Sequence, residues 1–551
     1  MAAKLIETAD SAYHYPLLIK HLLYRPLAVA PKQEIVYRDL SRYDYLTLRE
    51  RIGQLANGLA RLGVEPGDTV AVMDWDSHRY LECFFAIPMM GAILQTVNVR
   101  LNPDQILYTL NHTRPKLLLL NAEFLPLIEG LKDRLETIEQ FVLISDEDAP
   151  SSATISFVEE YEQLLRQNPA DYDFPDLDEN TQATVFYTTG TTGLPKGVYN
   201  SHRQIVVHAL GMLSAFAMPC SQGRLHSGDV YMPITPMFHV YAWSFPYVAT
   251  LMGIKQVYPG RYAPDTLLGL KQKEGVTFSH CVATILHMLL THPIAQDMDL
   301  RGWKMVMGGG ALPKGLAQLA LDRGMDIFAA YGMSETGPLL AVSHLKPSLQ
   351  DGDSARELEF RTKTGLPAPL VDLRIVDGDM NDVPHDGKST GEIVARAPWL
   401  TQGYLHNPEA SEALWAGGYL HTNDIANIDD EGYLQITDRL KDVIKSGGEW
   451  VSSLEVEDSI SQYPSVSEVA VIGIKNAKWG ERPMALIVLK PDQAGKVSPG
   501  DIRSHLMEFV DKGLLNKISV PDPDHIQFVE SLPKTSVGKL DKKLMREQFT
   551  G

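Results

Sequence analysis

Cysteine, long apolar runs and positive charge are all scarce in this chain of 551 residues. The three cysteines, Cys83, Cys220 and Cys281, lie far apart and show no metal-ligand spacing, so we expect reduced, buried thiols in a cytoplasmic protein. The N-terminus lacks the apolar core of a signal peptide, and no apolar run approaches the length of a membrane span. The longest tight run, Leu117 to Leu120, suits a buried strand.

The charge balance narrows the choice of partners. Lys and Arg number 50 against 69 Asp and Glu, which gives a formal net charge of −19 at pH 7. Such an excess of negative charge argues against nucleic acid or an anionic membrane surface as the main partner. At this length the chain is expected to divide into two or more domains.

Helical and strand patterns alternate along the chain. Residues 45 to 62 have apolar side chains at helical spacing, and Gly63 ends that helix. Asn102 is predicted to cap a later helix, just ahead of Pro103. Short apolar strands between such helices predict an α/β architecture with mainly parallel sheets. The acidic, proline-rich residues 146 to 180 predict a surface connection.

The most informative stretch is YTTGTTGLPKG, from Tyr187 to Gly197, which follows a β-prone run. Glycines allow backbone N–H groups to turn toward an anion, and threonine hydroxyls add donors. The stretch therefore predicts a polyphosphate cradle with one cation, Lys196. It differs from the common nucleotide loop, because Lys196 stands between Pro195 and Gly197. A flexible turn between strands is the alternative for such a run taken alone.

Four later tracts also carry chemistry. They are PMFHVYAW, KMVMGGGALPKG, DIFAAYGMSETG and LPKTSVGKLDKK. The glycine turn of the second tract permits close approach of a flat ring to the backbone. Taken singly, each tract has a plain structural explanation: a core histidine, a core tryptophan, a turn after a strand or a solvated lysine.

Taken together and in this order, the tracts resemble the signatures of the adenylate-forming enzymes, which comprise acyl-CoA synthetases, luciferases and peptide-synthetase adenylation domains. The resemblance spans about residues 40 to 548 and is strongest to medium- and long-chain fatty acyl-CoA synthetases, and the HVxAW context resembles that of the long-chain enzymes. It implies a large N-terminal domain of stacked, mainly parallel sheets with helices over residues 1–438. A hinge at 439–441 and a small, mobile α+β C-terminal domain over 442–551 would follow.

The resemblance also implies roles for single residues in nucleotide binding. Tyr331 would stack on adenine, Asp424 and Arg439 would hold the ribose, and Glu335 with Thr188 would hold Mg²⁺. Ser334 stands where the family usually has threonine, which keeps the hydroxyl. The implied ATP-binding residues are Thr188, Thr189, Gly190, Thr191, Thr192, Lys196, Gly309, Gly310, Ala311, Tyr331, Gly332, Met333, Ser334, Asp424 and Arg439.

Further residues are implied for catalysis and for the two organic substrates. Lys539 matches the adenylation lysine, and with His239 and Glu335 it forms the implied catalytic set. His239, Trp243 and Gly308 would line the acyl pocket, with Trp243 as a gate. Lys441 matches the hinge, and the implied CoA channel is bordered by Gly447, Gly448, Glu449 and Trp450.

The implied reaction joins a carboxylic acid to CoA in two steps through an acyl-AMP, with Mg²⁺, ATP and CoA as cofactor and co-substrates. The chain ends twelve residues after Lys539, so we expect a diffusible acceptor, CoA. The segment around His239 is apolar and has no Lys or Arg, which favours a medium- or long-chain fatty acid. An aryl or short sulfur-containing acid, luciferase-type oxidation, and a catalytically silent nucleotide-binding regulator stay open. A homodimer is compatible with the resemblance.

Overall fold

A computed structural model of the protein describes residues 3–147, 154–188, 194–439, 444–446, 449–476, 478–493, 495–512, 514–535 and 540–549. Side chains at 439, 445, 449 and 450 lie outside this description. Among the described residues, no helix is both long and apolar enough to cross a membrane.

The strands are numbered in chain order over the described residues. They are β1 (Glu34–Tyr37), β2 (Ser41–Asp44), β3 (Thr69–Met73), β4 (Ile93–Thr96), β5 (Leu117–Asn121), β6 (Gln140–Ile144), β7 (Phe157–Glu160), β8 (Gln182–Tyr187), β9 (Gly197–Ser201), β10 (Val230–Pro233), β11 (Lys255–Tyr258), β12 (Phe278–Cys281), β13 (Lys304–Met307), β14 (Asp326–Tyr331), β15 (Ala341–Val342), β16 (Leu366–Pro367), β17 (Asp372–Val376), β18 (Gly391–Arg396), β19 (Leu420–Ile428), β20 (Leu434–Arg439), β21 (Ile444–Ser446), β22 (Glu449–Val451), β23 (Val466–Asn476), β24 (Gly480–Leu489) and β25 (Ile526–Phe528).

The α-helices are numbered in the same way. They are α1 (Tyr24–Val29), α2 (Tyr45–Arg61), α3 (His78–Met89), α4 (Pro103–Thr113), α5 (Leu125–Leu131), α6 (Tyr161–Arg166), α7 (His202–Ala217), α8 (Val240–Trp243), α9 (Phe245–Met252), α10 (Pro264–Glu274), α11 (Ala283–Thr291), α12 (Pro293–Gln296), α13 (Lys314–Asp322), α14 (Ser354–Thr362), α15 (Pro408–Leu414), α16 (Ser453–Ser461), α17 (Pro499–Asp511) and α18 (Lys542–Phe549).

Two mainly parallel sheets form the large N-terminal part, which confirms the predicted α/β class. One sheet has the strand order β7-β6-β5-β3-β4-β8-β9, and the other has β16-β15-β14-β13-β12-β10-β11-β1-β2. Strand β5 is buried along its whole length, as its run of leucines predicts. Because apolar helices cover these strands, many of the buried apolar side chains pack into one large continuous core.

Helix boundaries follow local sequence chemistry. The side chain of Asn102 accepts a hydrogen bond from the backbone of Gln105, with Pro103 at the first helical position of α4. Asp44 caps α2 in the same way through the backbone of Thr47. These caps confirm the predicted starts of the two helices.

The remaining strands form two smaller sheets that are mainly antiparallel. Strands β17 to β20 make one, and β22-β21-β24-β23 with β25 make the other. The register of β19 and β20 pairs Asp424 with Arg439. The second of these sheets, with α16 to α18, makes the smaller C-terminal part that the fold prediction included. The exact limits of the domains and of the hinge stay predictions.

Two expectations from the sequence were wrong. The stretch 146–180 was expected to be only a connection, but it contains β7, an edge strand, and α6. Apolar residues of α6, such as Tyr161 and Leu164, are buried, and this burial outweighs the acidic composition of the stretch. Cys220 is exposed rather than buried, whereas Cys83 and Cys281 are buried.

Candidate active site

The candidate site lies beyond the carboxyl ends of β8, β10, β13 and β14, where open α/β sheets bind their ligands. A cavity of about 670 Å³ opens there, between the loops that follow these strands. Its lining includes residues from the C-terminal part, Thr535 and Leu540, on either side of the undescribed residues 536–539. Lys539 itself lies outside the described residues.

The cradle stretch is closed at its base by hydrogen bonds between its two ends. The backbone N–H of Thr188 donates to the carbonyl of Lys196 at 3.0 Å, and the N–H of Lys196 donates to Thr188 Oγ1 at 3.2 Å. Both residues line the cavity, as predicted. Thr189, Gly190, Thr191 and Thr192 lie outside the described residues.

The carboxylate of Glu335 is buried at the wall of this cavity, in a short turn that follows β14. The phenol of Tyr404 donates a hydrogen bond to Glu335 Oε1 at 2.7 Å. Burial first, and then the charge of Glu335, raise the pKa of the Tyr404 phenol far above its usual range, so it remains a donor. Lys196 Nζ lies 4.5 Å from the centre of the same ring. Tyr404 thus links the cation and the carboxylate of the site.

Only some of the ATP-binding residues predicted after β13 and β14 line the cavity. Gly309 lines the cavity, whereas Gly310 and Ala311 follow in the same turn without lining it. Added at Gly332, a Cβ would lie 1.3 Å from the carbonyl oxygen of Pro338, so only glycine fits there. The other predicted residues of this tract that line the cavity are Tyr331, Met333 and Ser334.

The predicted ribose ligands lie next to the predicted adenine residue. The hydroxyl of Tyr331 donates to Asp424 Oδ2 at 2.7 Å, and Asp424 is buried. Asp424 faces Arg439 in the register of neighbouring strands, although the side chain of Arg439 is outside the description. Tyr331 therefore connects Asp424 to the cavity, which Asp424 does not itself line.

Trp243, one of the predicted acyl-pocket residues, lies in a backbone segment of rare conformation that begins directly after His239. Five successive non-glycine residues, Val240 to Ser244, have φ between 47° and 62°. A left-handed residue other than glycine costs about 1 kcal/mol or more, so packing must hold this turn. The buried hydroxyl of Tyr241 pairs with Thr184 of β8, and Ser244 Oγ donates to the carbonyl of Gly337 at 3.1 Å.

His239 and Trp243 both line a second cavity as well as the first. This smaller cavity has a volume of about 10 Å³, which is room for about one water molecule. Gly308 is the point of closest approach: a Cβ added there would lie 2.8 Å from Cη2 of Trp243. The three predicted acyl-pocket residues are therefore neighbours, and Trp243 borders both cavities.

Polar residues also line the small cavity, which the apolar sequence around His239 did not predict. Arg100 and Tyr262 line it, from distant parts of the chain. Below it, the buried carboxylate of Asp76 accepts hydrogen bonds from the backbone of Met237 at 2.8 Å and from the Tyr262 hydroxyl at 2.5 Å. Burial raises the pKa of Asp76 to about 7.

The remaining predicted residues cannot be placed by their side chains. Lys441, Gly447 and Gly448 lie outside the described residues. Glu449 and Trp450 belong to β22, where their backbones pair with Ser446 and Lys445 of β21.

Sequence reasoning missed the residues that reach the cavity from elsewhere. Tyr404 lies in the tract LTQGYL, whose sequence gives no sign of a role for its tyrosine. Tyr108, His112 and His406 line the same cavity beside the cradle. A periodic or motif-based pattern does not mark these positions, because the topology alone brings them together.

Comparison with known sequences agrees with this geometry. A sequence model of AMP-binding enzymes matches residues 24–405, and one of the AMP-binding enzyme C-terminal domain matches residues 455–539. The chain is 40% identical over 534 residues to a long-chain-fatty-acid–CoA ligase of Thermus thermophilus, covering 96% of this chain and 94% of that enzyme. It is 37% identical over 504 residues to a 3-methylmercaptopropionyl-CoA ligase of Ruegeria pomeroyi, covering 90% of each. A medium-chain-fatty-acid–CoA ligase of Ectopseudomonas oleovorans is 34% identical over 514 residues, covering 93% of this chain and 91% of that enzyme.

Solved structures show the same arrangement over nearly the whole chain. An anthranilate CoA ligase in complex with anthranoyl-AMP superposes with a TM-score of 0.84 at 26% identity, covering 97% of this chain and 98% of that one. A Mycobacterium tuberculosis fatty acyl CoA synthetase superposes with a TM-score of 0.70 at 25% identity, with the same coverage.

Proposed function

Because the chain belongs to the family of AMP-binding enzymes, as its resemblance to the adenylate-forming enzymes predicts, we propose that it joins a medium- or long-chain fatty acid to CoA. In the first step the fatty-acid carboxylate attacks the α-phosphorus of ATP, which gives acyl-AMP and releases pyrophosphate. In the second, the thiol sulfur of CoA attacks the acyl carbonyl, which gives the thioester and releases AMP.

The observation that carries this proposal is the shared wall between the two cavities. His239 and Trp243 face both the large cavity, with its cradle and carboxylate, and the small cavity beside Ile234 and Val282. An activated carboxyl group at this wall would have phosphate-binding residues on one side. On the other it would face the small cavity, where Ile234 and Val282 could contact an acyl chain beside the polar Arg100 and Tyr262. Since the small cavity holds about one water molecule, Trp243 must move before a chain enters.

The residues of the large cavity suit the first step, in which two negatively charged reactants come together. Two anions must meet, so the site has to neutralise charge and align the reactants. Lys196 and Thr188 line this cavity and would bind phosphate oxygens, and the hydrogen bond from Tyr404 would hold the Glu335 carboxylate in position. Lys539 would add a second cation at the α-phosphate.

The donor set also fits Mg²⁺ in a nucleotide complex. Across the described parts of the chain, no three His, Cys, Asp or Glu side chains gather into a metal site made of protein alone. Glu335 with Thr188 would hold Mg²⁺ together with phosphate oxygens, which is the usual magnesium arrangement in such enzymes. The ion would neutralise phosphate charge as the bond to pyrophosphate breaks.

Several finer assignments remain proposals that rest on the family resemblance. We assign the acceptor role to CoA, with the backbone of residues 447–450 beside its pantetheine arm and rotation at Lys441 between the two steps. A cytoplasmic location and a homodimer are proposed on the same footing.

A second substrate class is favoured by a specific observation. A 3-methylmercaptopropionyl-CoA ligase is 37% identical to this chain, close to the value for the long-chain enzyme. A series of acids tests the choice: octanoate, dodecanoate, hexadecanoate, 3-methylthiopropanoate and cinnamate, each with Mg-ATP and CoA. We expect the highest kcat/KM for thioester formation with a fatty acid of eight or more carbons. A maximum with the sulfur-containing or the aryl acid would overturn the fatty-acid assignment.

A further inference from the structure

Two histidines stand beside the phosphate cradle without an assigned role. His112, in the last turn of α4, and His406, in the turn before α15, both line the large cavity. Their rings are 5.3 Å apart, centre to centre, in an edge-to-face arrangement. They come from segments almost 300 positions apart, and they meet at the side of the cavity formed by Leu194 and Lys196.

The tautomer of His112 follows from its neighbour. Nδ1 of His112 lies 2.7 Å from the hydroxyl of Tyr187, the last residue of β8. Burial raises the pKa of the Tyr187 phenol far above its usual range, so the phenol keeps its proton and can donate it to Nδ1. Burial, and then the nearby His406, lower the pKa of His112, so its imidazole is neutral at pH 7. When the Tyr187 hydroxyl donates to Nδ1 of the neutral ring, Nε2 carries the hydrogen and is a donor.

His406 is fixed by the same backbone that supports the cradle. The N–H of Leu405 donates to the carbonyl of Gly197 at 2.8 Å, and the N–H of Asn407 donates to the carbonyl of Tyr404 at 3.2 Å. His406 itself is exposed and has a φ of 51°, a conformation that asparagine also tolerates. The turn therefore holds an imidazole at the wall of the large cavity, next to Gly197.

We propose that His112 and His406 form a subsite for the pyrophosphate group released from ATP, extending the cradle of Thr188 and Lys196 toward solvent. This inference rests on the proposed function, in which that diphosphate leaves the same cavity. The diphosphate of CoA has similar chemistry, but the cradle beside the pair assigns the subsite to pyrophosphate.

The test is binding of Mg-pyrophosphate to the full-length protein by calorimetry, which needs no turnover. His406→Asn should weaken this binding about tenfold, the usual effect of losing a hydrogen bond to a charged group. His112→Asn should weaken it to a similar extent, and His385→Asn, a change at an exposed histidine outside the cavity, should leave it unchanged. The KM for CoA should stay constant in all three variants.

The His406→Asn variant keeps the proposal falsifiable even where His112→Asn disturbs the fold. Pyrophosphate affinity within twofold of the wild-type value in His406→Asn would overturn the subsite. A raised KM for CoA with unchanged pyrophosphate affinity would overturn the choice of pyrophosphate. Failure of every acid to support thioester formation would instead contradict the proposed function, and the calorimetric result would still decide the subsite.

Discussion

The hydroxyl of Tyr404 lies 2.7 Å from Oε1 of Glu335, although 68 residues separate them along the chain. Glu335 follows β14, whereas Tyr404 lies in the turn that pairs with Val198 of β9. The contact therefore ties the carboxylate proposed for Mg²⁺ to the strand that follows the cradle. It also places one aromatic ring between this carboxylate and Lys196.

Tyr404→Phe should raise the KM for Mg-ATP about tenfold, because a hydrogen bond to a charged group is lost while the ring remains. Glu335→Gln should weaken the dependence on Mg²⁺ more strongly. Tyr419→Phe is a matched control, since Tyr419 makes the same type of bond, 2.8 Å to Asp372, at the surface. Equal KM values for Mg-ATP in wild type and Tyr404→Phe would contradict the positioning role.

Gly308→Ala should change acyl-chain preference, because the new methyl group would meet the Trp243 indole at 2.8 Å and displace it. We expect kcat/KM for hexadecanoate relative to octanoate to shift about fivefold or more, the scale of about 1 kcal/mol from a displaced packing contact. Gly269→Ala adds a methyl group where nothing lies within 4 Å and serves as the control. An unchanged ratio in Gly308→Ala would show that this contact does not determine acyl-chain preference.

Trp243→Ala distinguishes a gate from a core side chain. If Trp243 is a gate between two cavities, its truncation should lower the free energy of unfolding by less than about 3 kcal/mol. The effect of bound ATP on fatty-acid affinity should also change. Trp303 is the comparison, because it is buried and its Nε1 donates to Ser279 at 3.1 Å. Trp303→Ala should cost about 3–5 kcal/mol. Equal losses of stability, with unchanged coupling in Trp243→Ala, would make Trp243 part of the core.

Asp76→Asn should change how stability depends on pH. The carboxyl group has a pKa of about 7 when folded and about 4 when unfolded, so the folded state binds the proton more strongly. The contribution of this carboxyl group to the free energy of unfolding therefore falls as pH rises from 4 to 7. Between pH 5 and pH 8 the wild-type protein should lose about 2–3 kcal/mol of that contribution. Urea unfolding of both proteins at these two pH values checks the difference. Parallel pH dependence in the two proteins would contradict the raised pKa.

Local patterns predicted the elements that depend on local chemistry. The cap at Asn102, the helix that ends before Gly63 and the buried leucine strand at 117–120 all appear as expected. Thr188, Lys196 and Glu335 also line one cavity, because each lies next to one end of a strand, β8, β9 or β14, that borders it. Motifs at strand ends can be placed from sequence for this reason.

The rest of the site depends on contacts across the chain. Arg100, Tyr404 and His406 enter the cavities from loops whose sequences have no distinctive pattern. The left-handed turn at 240–244 contains no glycine, so no residue type marks its conformation. Tertiary packing imposes this geometry, and a single sequence does not record which distant segments supply the contacts.

The central claim is that this cavity activates a fatty acid as acyl-AMP, and exchange of labelled pyrophosphate into ATP tests it without CoA. We predict exchange that requires both Mg²⁺ and a fatty acid such as dodecanoate. Lys539→Ala should reduce this exchange about a hundredfold or more, the scale of one charge contact in the transition state. Supplied dodecanoyl-AMP should still react with CoA in that variant. Tight ATP binding with no exchange for any acid of the series would contradict the claim and identify a nucleotide-binding protein without ligase activity.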